Sequence, residues 1–173
     1  MDDTQRSCRA FAELLASPSP TPGGGGAAAL TAAVGAALGG MVCALTVGKK
    51  QYAAAERELR AVMADCAALR EELLAQASAA ACAAPLKIMA LCCRGLDAMA
   101  VLAEKGSRLA VSDAGCGAAI LGGALRAASL NVLVNTRSMG DAGAALNARC
   151  LSLLDRGEAA ANAVFVQVKN GLL

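Results

Sequence analysis

The chain has 173 residues, of which 57% are apolar and only 2% aromatic, and it contains neither His nor Trp. Its net charge of +2 comes from both signs spread along the sequence, so it lacks the basic stripe and the stacking platform that nucleic-acid binding requires. We therefore expect one domain over residues 1–173, with a core built from close contacts between helices rather than from large side chains.

The periodicity of apolar residues is helical along nearly the whole chain. A short amphipathic helix is predicted around Phe11. Five longer helices are predicted after it, at about 27–47, 51–76, 83–105, 112–136 and 141–169. Gly48 and Gly106 are predicted to end the helices before them, and Pro85 fits a first helical turn. The sequence thus predicts an all-α fold, an antiparallel bundle or array of long Ala/Gly-rich helices joined by short loops.

The eight cysteines mostly occupy positions in the predicted helices that alanine could take: Cys8, Cys43, Cys66, Cys82, Cys92, Cys93, Cys116 and Cys150. They include no CxxC pair, and no His is present to complete a zinc set, so we predict no metal. We expect small buried thiols in a reducing compartment rather than disulfides. The acidic start of the sequence is unlike a signal peptide, which adds to the expectation of a cytoplasmic protein.

Residues 23–48 carry no charge, and Gly35 and Gly39 have the GxxxG spacing of packed membrane helices. This stretch is long enough to span a bilayer, but it consists mostly of Ala and Gly, which gain little from lipid. A helix buried inside a protein uses the same small residues to let backbones approach one another. We expect the buried helix, and a small membrane protein is the alternative.

The segment SPSPTPGGGG at 17–26 lies between the first two predicted helices. Its alternating prolines stiffen the chain, whereas the glycines allow unusual backbone angles directly before a helix. Backbone N–H groups at a helix start, together with the helix dipole, can hold a carboxylate or a phosphate. The segment is therefore either a turn that redirects the chain or a cradle for such an anion.

Three motifs occur in order along the chain: TPGGGGAAAL, then LTVGKKQYA, then EKGSRLAVSDAGCGAAILGGALRAASLNVLVNTRSMGD. Together they resemble the cyclodeaminase/cyclohydrolase family, which comprises the C-terminal domain of formiminotransferase-cyclodeaminase and stand-alone bacterial methenyltetrahydrofolate cyclohydrolases. The resemblance implies a folate one-carbon enzyme that acts on the bridge between N5 and N10. It implies either a methenyltetrahydrofolate cyclohydrolase or a formimidoyltetrahydrofolate cyclodeaminase, with a tetrahydrofolate derivative as substrate.

The chain departs from the family pattern at two places. Gly26 stands where relatives usually have Ser, and the connection near residues 76–83 is shorter than in the family. A chain that has lost part of its pocket wall there would be a non-catalytic helical folate-binding or scaffold protein, which is the alternative to an enzyme. The family resemblance implies a homodimer, and the many small residues on several helices favour one as well.

Proton transfer in either reaction needs an acid or a base, and a chain without His must use Lys, Tyr or a carboxylate. Asp113 is the only acid between residues 109 and 125 and is the first catalytic candidate. Lys49 and Lys50 are the other two. Each has a structural alternative, because Asp113 with Ser112 could cap a helix and the lysines could neutralise a helix end.

The resemblance assigns substrate contacts to residues of the three motifs: Thr21, Gly23, Gly24, Gly25, Tyr52, Ser112, Asn131, Asn135 and Arg137. Asn131 and Asn135 are four residues apart and therefore lie on one face of an otherwise apolar helix. Their amides either bond to a neighbouring helix or form a polar wall of the folate pocket. Arg137 and the two lysines are candidates for binding the glutamate tail of the folate.

Overall fold

The computed structural model describes residues 3–78 and 85–173, and these ranges form an antiparallel bundle of six α-helices. The helices are α1 (Cys8–Leu15), α2 (Gly24–Ala44), α3 (Glu56–Ser78), α4 (Pro85–Lys105), α5 (Val111–Thr136) and α6 (Gly140–Leu172). Two 3-10 helices, Asp3–Gln5 and Lys50–Ala55, occur in the same ranges. No strand is present in the described residues, and the all-α prediction is confirmed.

Helix α5 is central, because it packs against α2, α4 and α6, while α3 packs against α2 and α4. Contacts between α2 and α5 run in opposite directions along the two helices. Gly35 faces Gly117 near the middle, whereas Gly24 at the start of α2 faces Asn131 near the end of α5. The two helices are therefore antiparallel. We call their line of contact the α2–α5 seam.

The core combines one helix of small residues, α2, with large side chains from three others. The buried face of α2 consists mainly of Ala and Gly. The bulk comes from α3, α4 and α5, whose largest fully buried side chains are Leu59, Leu69, Leu73, Ile88, Met89, Leu96, Met99, Leu102, Leu121 and Leu125. Small residues on α2 let these side chains fill the space between the helices at ordinary interior packing density.

Glycine at the middle of the seam allows close approach of the two helices. A Cβ atom on Gly35 would lie 2.9 Å from Cγ of Leu121 and 3.3 Å from the backbone oxygen of Gly117. Both α2 and α5 are long and apolar enough to cross a membrane, and half of the most apolar stretch of each is buried inside the bundle. Gly35 thus serves packing between two helices of the same chain, as expected for a buried helix.

Gly35→Ala is expected to lower the free energy of unfolding by about 1–2 kcal/mol, because strain against Leu121 and Gly117 outweighs the gain in helix propensity. Gly40→Ala in the same helix is the control. Nothing lies within 4 Å of its Cβ position, so stability should rise by about 0.5–1 kcal/mol. Urea denaturation followed by circular dichroism measures both changes, and an equal effect of the two would contradict close packing at Gly35.

The ends of α2 differ from the predicted ones. The helix begins at Gly24 rather than near residue 27, so the glycines form its first turn instead of a loop before it. It ends at Ala44, before the predicted end near residue 47. A turn follows as far as Gly48, whose φ of +82° is a left-handed conformation that glycine adopts without strain.

The helix predicted at 51–76 starts with the tighter 3-10 helix Lys50–Ala55 and becomes α-helical only at Glu56. The prediction of Pro85 in a first helical turn is confirmed. The predicted start of that helix near residue 83 lies outside the described residues. Gly106 directly follows α4, as predicted.

Most described cysteines are buried in the core, as predicted: Cys43, Cys66, Cys92, Cys93 and Cys150. Burial raises the pKa of Cys92 to about 12, so its thiol is neutral at physiological pH and a poor nucleophile. Cys8 and Cys116 are exposed, and all seven described cysteines are free thiols. Cys82 lies outside the described residues.

Candidate active site

The Pro/Gly segment between α1 and α2 is a shaped loop. The hydroxyl of Ser17 donates to the backbone oxygen of Leu14 at 2.7 Å, and the hydroxyl of Ser19 donates to that of Thr21 at 2.6 Å. Pro22 is buried, which anchors the loop where it enters α2. These contacts define the direction in which the chain enters the helix and leave Thr21 exposed.

The first turn of α2 offers backbone N–H groups from consecutive glycines. Gly23 is the N-cap residue and makes no side-chain cap hydrogen bond. Its carbonyl accepts the N–H of Ala27 at 3.0 Å, which is the first intrahelical bond. The N–H groups of Gly24 and Gly25 precede that bond and have no helical acceptor. Together with the helix dipole, they make the turn suitable for a carboxylate or another anion.

Asn131 of α5 lies directly against this glycine turn. A Cβ atom on Gly24 would lie 3.4 Å from both Oδ1 and Nδ2 of the Asn131 amide. The amide Nδ2 donates to the backbone oxygen of Ala127 in its own helix at 2.9 Å, so its one described hydrogen bond is not to a neighbouring helix. Asn135 is exposed one turn further along the same face, and Arg137 is exposed beyond it. We call this cluster, with the first turn of α2, the glycine end of the seam.

At the opposite end of the seam, two hydrogen bonds fix the loop between α4 and α5. The buried Oγ1 of Thr46 accepts the N–H of Ser107 at 2.8 Å, and the hydroxyl oxygen of Tyr52 accepts the N–H of Arg108 at 3.1 Å. The Ser107 hydroxyl and the Arg108 N–H lower the pKa of Tyr52, and the charge of Lys49 adds to this effect. We call Tyr52, Arg108 and the start of α5 the tyrosine end, and Thr46 holds the loop from outside it.

A cleft of about 530 Å³ opens beside Tyr52, between the 3-10 helix at 50–55, the α4–α5 loop and the last turns of α6. Glu104, Lys105 and Arg108 are its charged lining residues. The ammonium group of Lys105 is bound to the carboxylate of Glu58 at 2.7 Å, whereas Arg108 has no ion-pair partner among the described residues. The cleft therefore presents a free guanidinium group close to a phenol.

Lys49 and Lys50 are both exposed, and they directly precede a cleft residue, Gln51, in the sequence. Lys49 is the N-cap residue of the 3-10 helix, and its backbone oxygen accepts the N–H of Tyr52 at 2.9 Å. Because α2 already ends at Ala44, neither lysine belongs to its last turn. Their predicted structural role, to neutralise a helix end, therefore does not apply to α2.

Ser112 and Asp113 lie inside the first turn of α5 rather than before it. The N-cap residue is Ala110, whose carbonyl accepts the N–H of Asp113 at 3.1 Å. The predicted cap is wrong because the loop at 107–110 leads directly into the helix. The backbone of Ala110 begins the helix, and no side chain caps it. Ser112 is exposed and Asp113 is partly buried, in a first turn where the helix dipole favours a carboxylate.

Gly117 faces α2. Asp113 and Asn131 are separated by whole turns of α5, so they lie on about the same side of this helix as Gly117. Along the helix axis they are about five turns, or about 27 Å, apart. The candidate residues thus form two groups at opposite ends of the seam, and a single chain does not bring them into one pocket.

Sequence reasoning missed Glu104 and Arg108, which line the cleft, and Thr46, which only holds the loop. Arg108 had a readable signal, because it is the last cation before the apolar start of a helix inside a recognised motif. Thr46 had none, since it stands in an apolar run and its bond to Ser107 spans 61 residues.

Comparisons with known proteins identify the family of this chain. The model of the family described as formiminotransferase-cyclodeaminase matches residues 7–79 and 67–150. A methenyltetrahydrofolate cyclohydrolase from Methylorubrum extorquens is 34% identical over 165 aligned positions, covering 76% of this chain and 79% of that protein. A formimidoyltransferase-cyclodeaminase from Dictyostelium discoideum is 47% identical over 57 residues, which cover 33% of this chain and 11% of that protein.

A solved structure has the same fold. The crystal structure of formiminotetrahydrofolate cyclodeaminase from Thermotoga maritima matches with a TM-score of 0.83 over 96% of both chains, at 22% sequence identity. The resemblance drawn from the three motifs is therefore confirmed at the level of both sequence and fold. This chain belongs to the formiminotransferase-cyclodeaminase family.

Proposed function

We propose that this protein is a methenyltetrahydrofolate cyclohydrolase, which adds water to the bridge carbon of 5,10-methenyltetrahydrofolate and releases 10-formyltetrahydrofolate. The observation that carries the proposal is the 34% identity to a cyclohydrolase across most of both chains. The tyrosine end supports it, because a phenol, the Glu104 carboxylate and the Arg108 guanidinium line a cleft of about 530 Å³, a volume usual for small-molecule sites.

Formimidoyltetrahydrofolate cyclodeaminase is the second candidate, favoured by the 47% identity of a 57-residue segment to a formimidoyltransferase-cyclodeaminase. Both reactions pass through a tetrahedral carbon between N5 and N10, and the same proton-transfer groups serve either one. The two reactions differ in one respect: the cyclohydrolase adds water to the bridge, whereas the cyclodeaminase releases ammonia.

Asp113 and one of the two lysines, Lys49 or Lys50, act at the reacting centre in this proposal. Asp113 either moves a proton or binds the amino groups of the pterin. At the glycine end, the Asn131 and Asn135 amides hold the pterin edge, and the N–H groups of the glycine turn receive a carboxylate of the glutamate tail.

We further propose that a second copy of the chain completes each site. The tyrosine and glycine ends are about 27 Å apart within one chain, too far for both to contact the reacting part of one folate. Two copies that pack with antiparallel seams about a two-fold axis place the tyrosine end of one against the glycine end of the other. Because a two-fold interface is self-complementary, such a homodimer has two equivalent sites.

Exposed apolar side chains on both helices of the seam support this homodimer. Val34 of α2 is 51% exposed, and Leu130 and Val134 of α5 are 67% and 60% exposed. Large exposed apolar side chains that come together in one patch are typical of protein interfaces. A second copy covers these side chains without lipid, so we propose that the protein works without a membrane, although α2 and α5 are long and apolar enough to span one.

We also propose that the protein is cytoplasmic and that it works without a metal ion and without a nucleic-acid partner. The seven described cysteines are free thiols, which supports a reducing compartment. In residues 3–78 and 85–173, no three His, Cys, Asp or Glu side chains are grouped to hold a metal.

A spectroscopic assay tests the proposed activity. Purified protein is mixed with 5,10-methenyltetrahydrofolate or with 5-formimidoyltetrahydrofolate, and the methenyl absorbance is followed against a protein-free control, because the methenyl bridge also hydrolyses unaided. Loss of absorbance that scales with protein indicates the cyclohydrolase, and a gain from the formimidoyl substrate indicates the cyclodeaminase. Folate binding without turnover would instead identify a non-catalytic folate-binding protein.

A further inference from the structure

We propose that Tyr52 is a catalytic residue of this reaction, whose phenol carries one proton from the attacking water to N5 of the folate. This inference rests on the proposed function and names the proton-transfer group within it.

Tyr52 is held in position both at its backbone and at its hydroxyl group. Its backbone N–H donates to the carbonyl of Lys49 at 2.9 Å, its ring packs against the core, and its hydroxyl oxygen accepts the N–H of Arg108 at 3.1 Å. The side chain lines the cleft of about 530 Å³. The phenol therefore meets the cleft in one orientation, which proton transfer to a bound substrate requires.

The surroundings of the phenol favour its ionised form. The Ser107 hydroxyl is near the phenol oxygen without a hydrogen bond to it, the Arg108 N–H donates to that oxygen, and the positive charge of Lys49 is close, so the pKa of Tyr52 lies below its usual value. Three charged groups line the same cleft from α4 and from the loop after it: Glu104, Lys105 and Arg108. Lys105 is neutralised by Glu58, which leaves the Glu104 carboxylate and the Arg108 guanidinium in the cleft.

The other candidates are less suited to this step. Lys49 and Lys50 are exposed, so water solvates their ammonium groups and little holds them in one position. Asp113 is not among the residues that line the cleft, and in this proposal its carboxylate stabilises the cationic methenyl group or binds the pterin. Glu104 lines the cleft, but it is exposed and its carboxylate has no described hydrogen bond. With no His in the chain, Tyr52 is the titratable side chain in the cleft whose oxygen is held by a described hydrogen bond.

The step balances with the phenolate as base. The oxygen of water forms a bond to the bridge carbon while the phenolate takes one water proton, and the electron pair of the amidinium returns to nitrogen. The phenol then gives this proton to N5 as the bond between the bridge carbon and N5 breaks. This transfer to N5 regenerates the phenolate. The hydroxyl left on carbon becomes the formyl carbonyl and releases the second water proton to solvent.

Two variants separate this role from a merely structural one. Tyr52→Phe is expected to lower kcat by about 100-fold or more with little change in KM, since the proton is transferred in the chemical step. Thr46→Val is the control, because it removes the other tether of the same loop without touching the cleft. It should keep kcat within about threefold. Equal losses in both variants, or a Tyr52→Phe variant that keeps its kcat, would overturn the inference.

The chain has one tyrosine, which allows a substitution that keeps the fold. Replacing all tyrosine with 3-fluorotyrosine during expression changes Tyr52 alone and makes its phenol more acidic. The acidic limb of the pH profile of kcat is expected to move to lower pH. This result decides the question even if the Phe variant unfolds, because an unmoved limb rules out the phenol as the base. Wild-type protein without turnover overturns the proposed function together with this inference, whereas normal wild-type turnover with an unmoved limb overturns this inference alone.

Discussion

Asp113→Asn is expected to lower kcat/KM by about 100-fold or more, because the neutral amide can neither accept a proton nor stabilise the cationic methenyl group. The variant should remain folded. Asp113 lies in the first turn of α5 and its side chain has no described ion pair, so only a weak interaction with the helix dipole is lost, worth about 0.3–1 kcal/mol. Steady-state kinetics from the methenyl absorbance measures the effect.

Asp141→Asn is the matched control for this variant. Asp141 lies in the first turn of α6, so its substitution removes the same charge from an equivalent helical position. The two variants should lose similar stability in thermal unfolding, but only Asp113→Asn should lose activity. Full activity in both would mean that Asp113 serves α5 alone and has no part in the reaction.

A mixture of two inactive variants, Asp113→Asn and Asn131→Ala, is expected to recover about a quarter of wild-type activity after subunit exchange. In a two-fold dimer with shared sites, a mixed dimer combines both substitutions in one site and leaves the other site intact. About half of the dimers are mixed when exchange is random, and each has one of its two sites working. The activity of the exchanged mixture, compared with each variant alone, measures this recovery.

The control for this experiment pairs two variants of the same end. Asp113→Asn mixed with Tyr52→Phe should recover nothing, because every site in the mixed dimer then carries one of the two substitutions. Differently tagged subunits, purified together, establish that exchange has occurred. Recovery by neither mixture, with exchange established, would place a complete site within one chain and contradict the proposed shared site.

Much of the fold was readable from local sequence. Helical periodicity predicted five long helices, and the uncharged Ala/Gly run indicated a helix in close contact with its neighbours, as Gly35 against Gly117 confirms. The helix starts were read less well, because they depend on contacts with distant residues. The loop before α5 is held by Thr46 and Tyr52, so the helix opens at Ala110 without the side-chain cap predicted from Ser112 and Asp113.

The sequence by itself determined the fold class, the family and the candidate residues, because helical spacing and ordered motifs are properties of neighbouring positions along the chain. Only the tertiary structure decided how those residues are grouped. The antiparallel packing of α2 and α5 joins Gly24 to Asn131 at one end of the seam and brings Tyr52 to Arg108 at the other. This grouping depends on side-chain packing between helices that are far apart in sequence, and no local pattern encodes which ends of two helices meet.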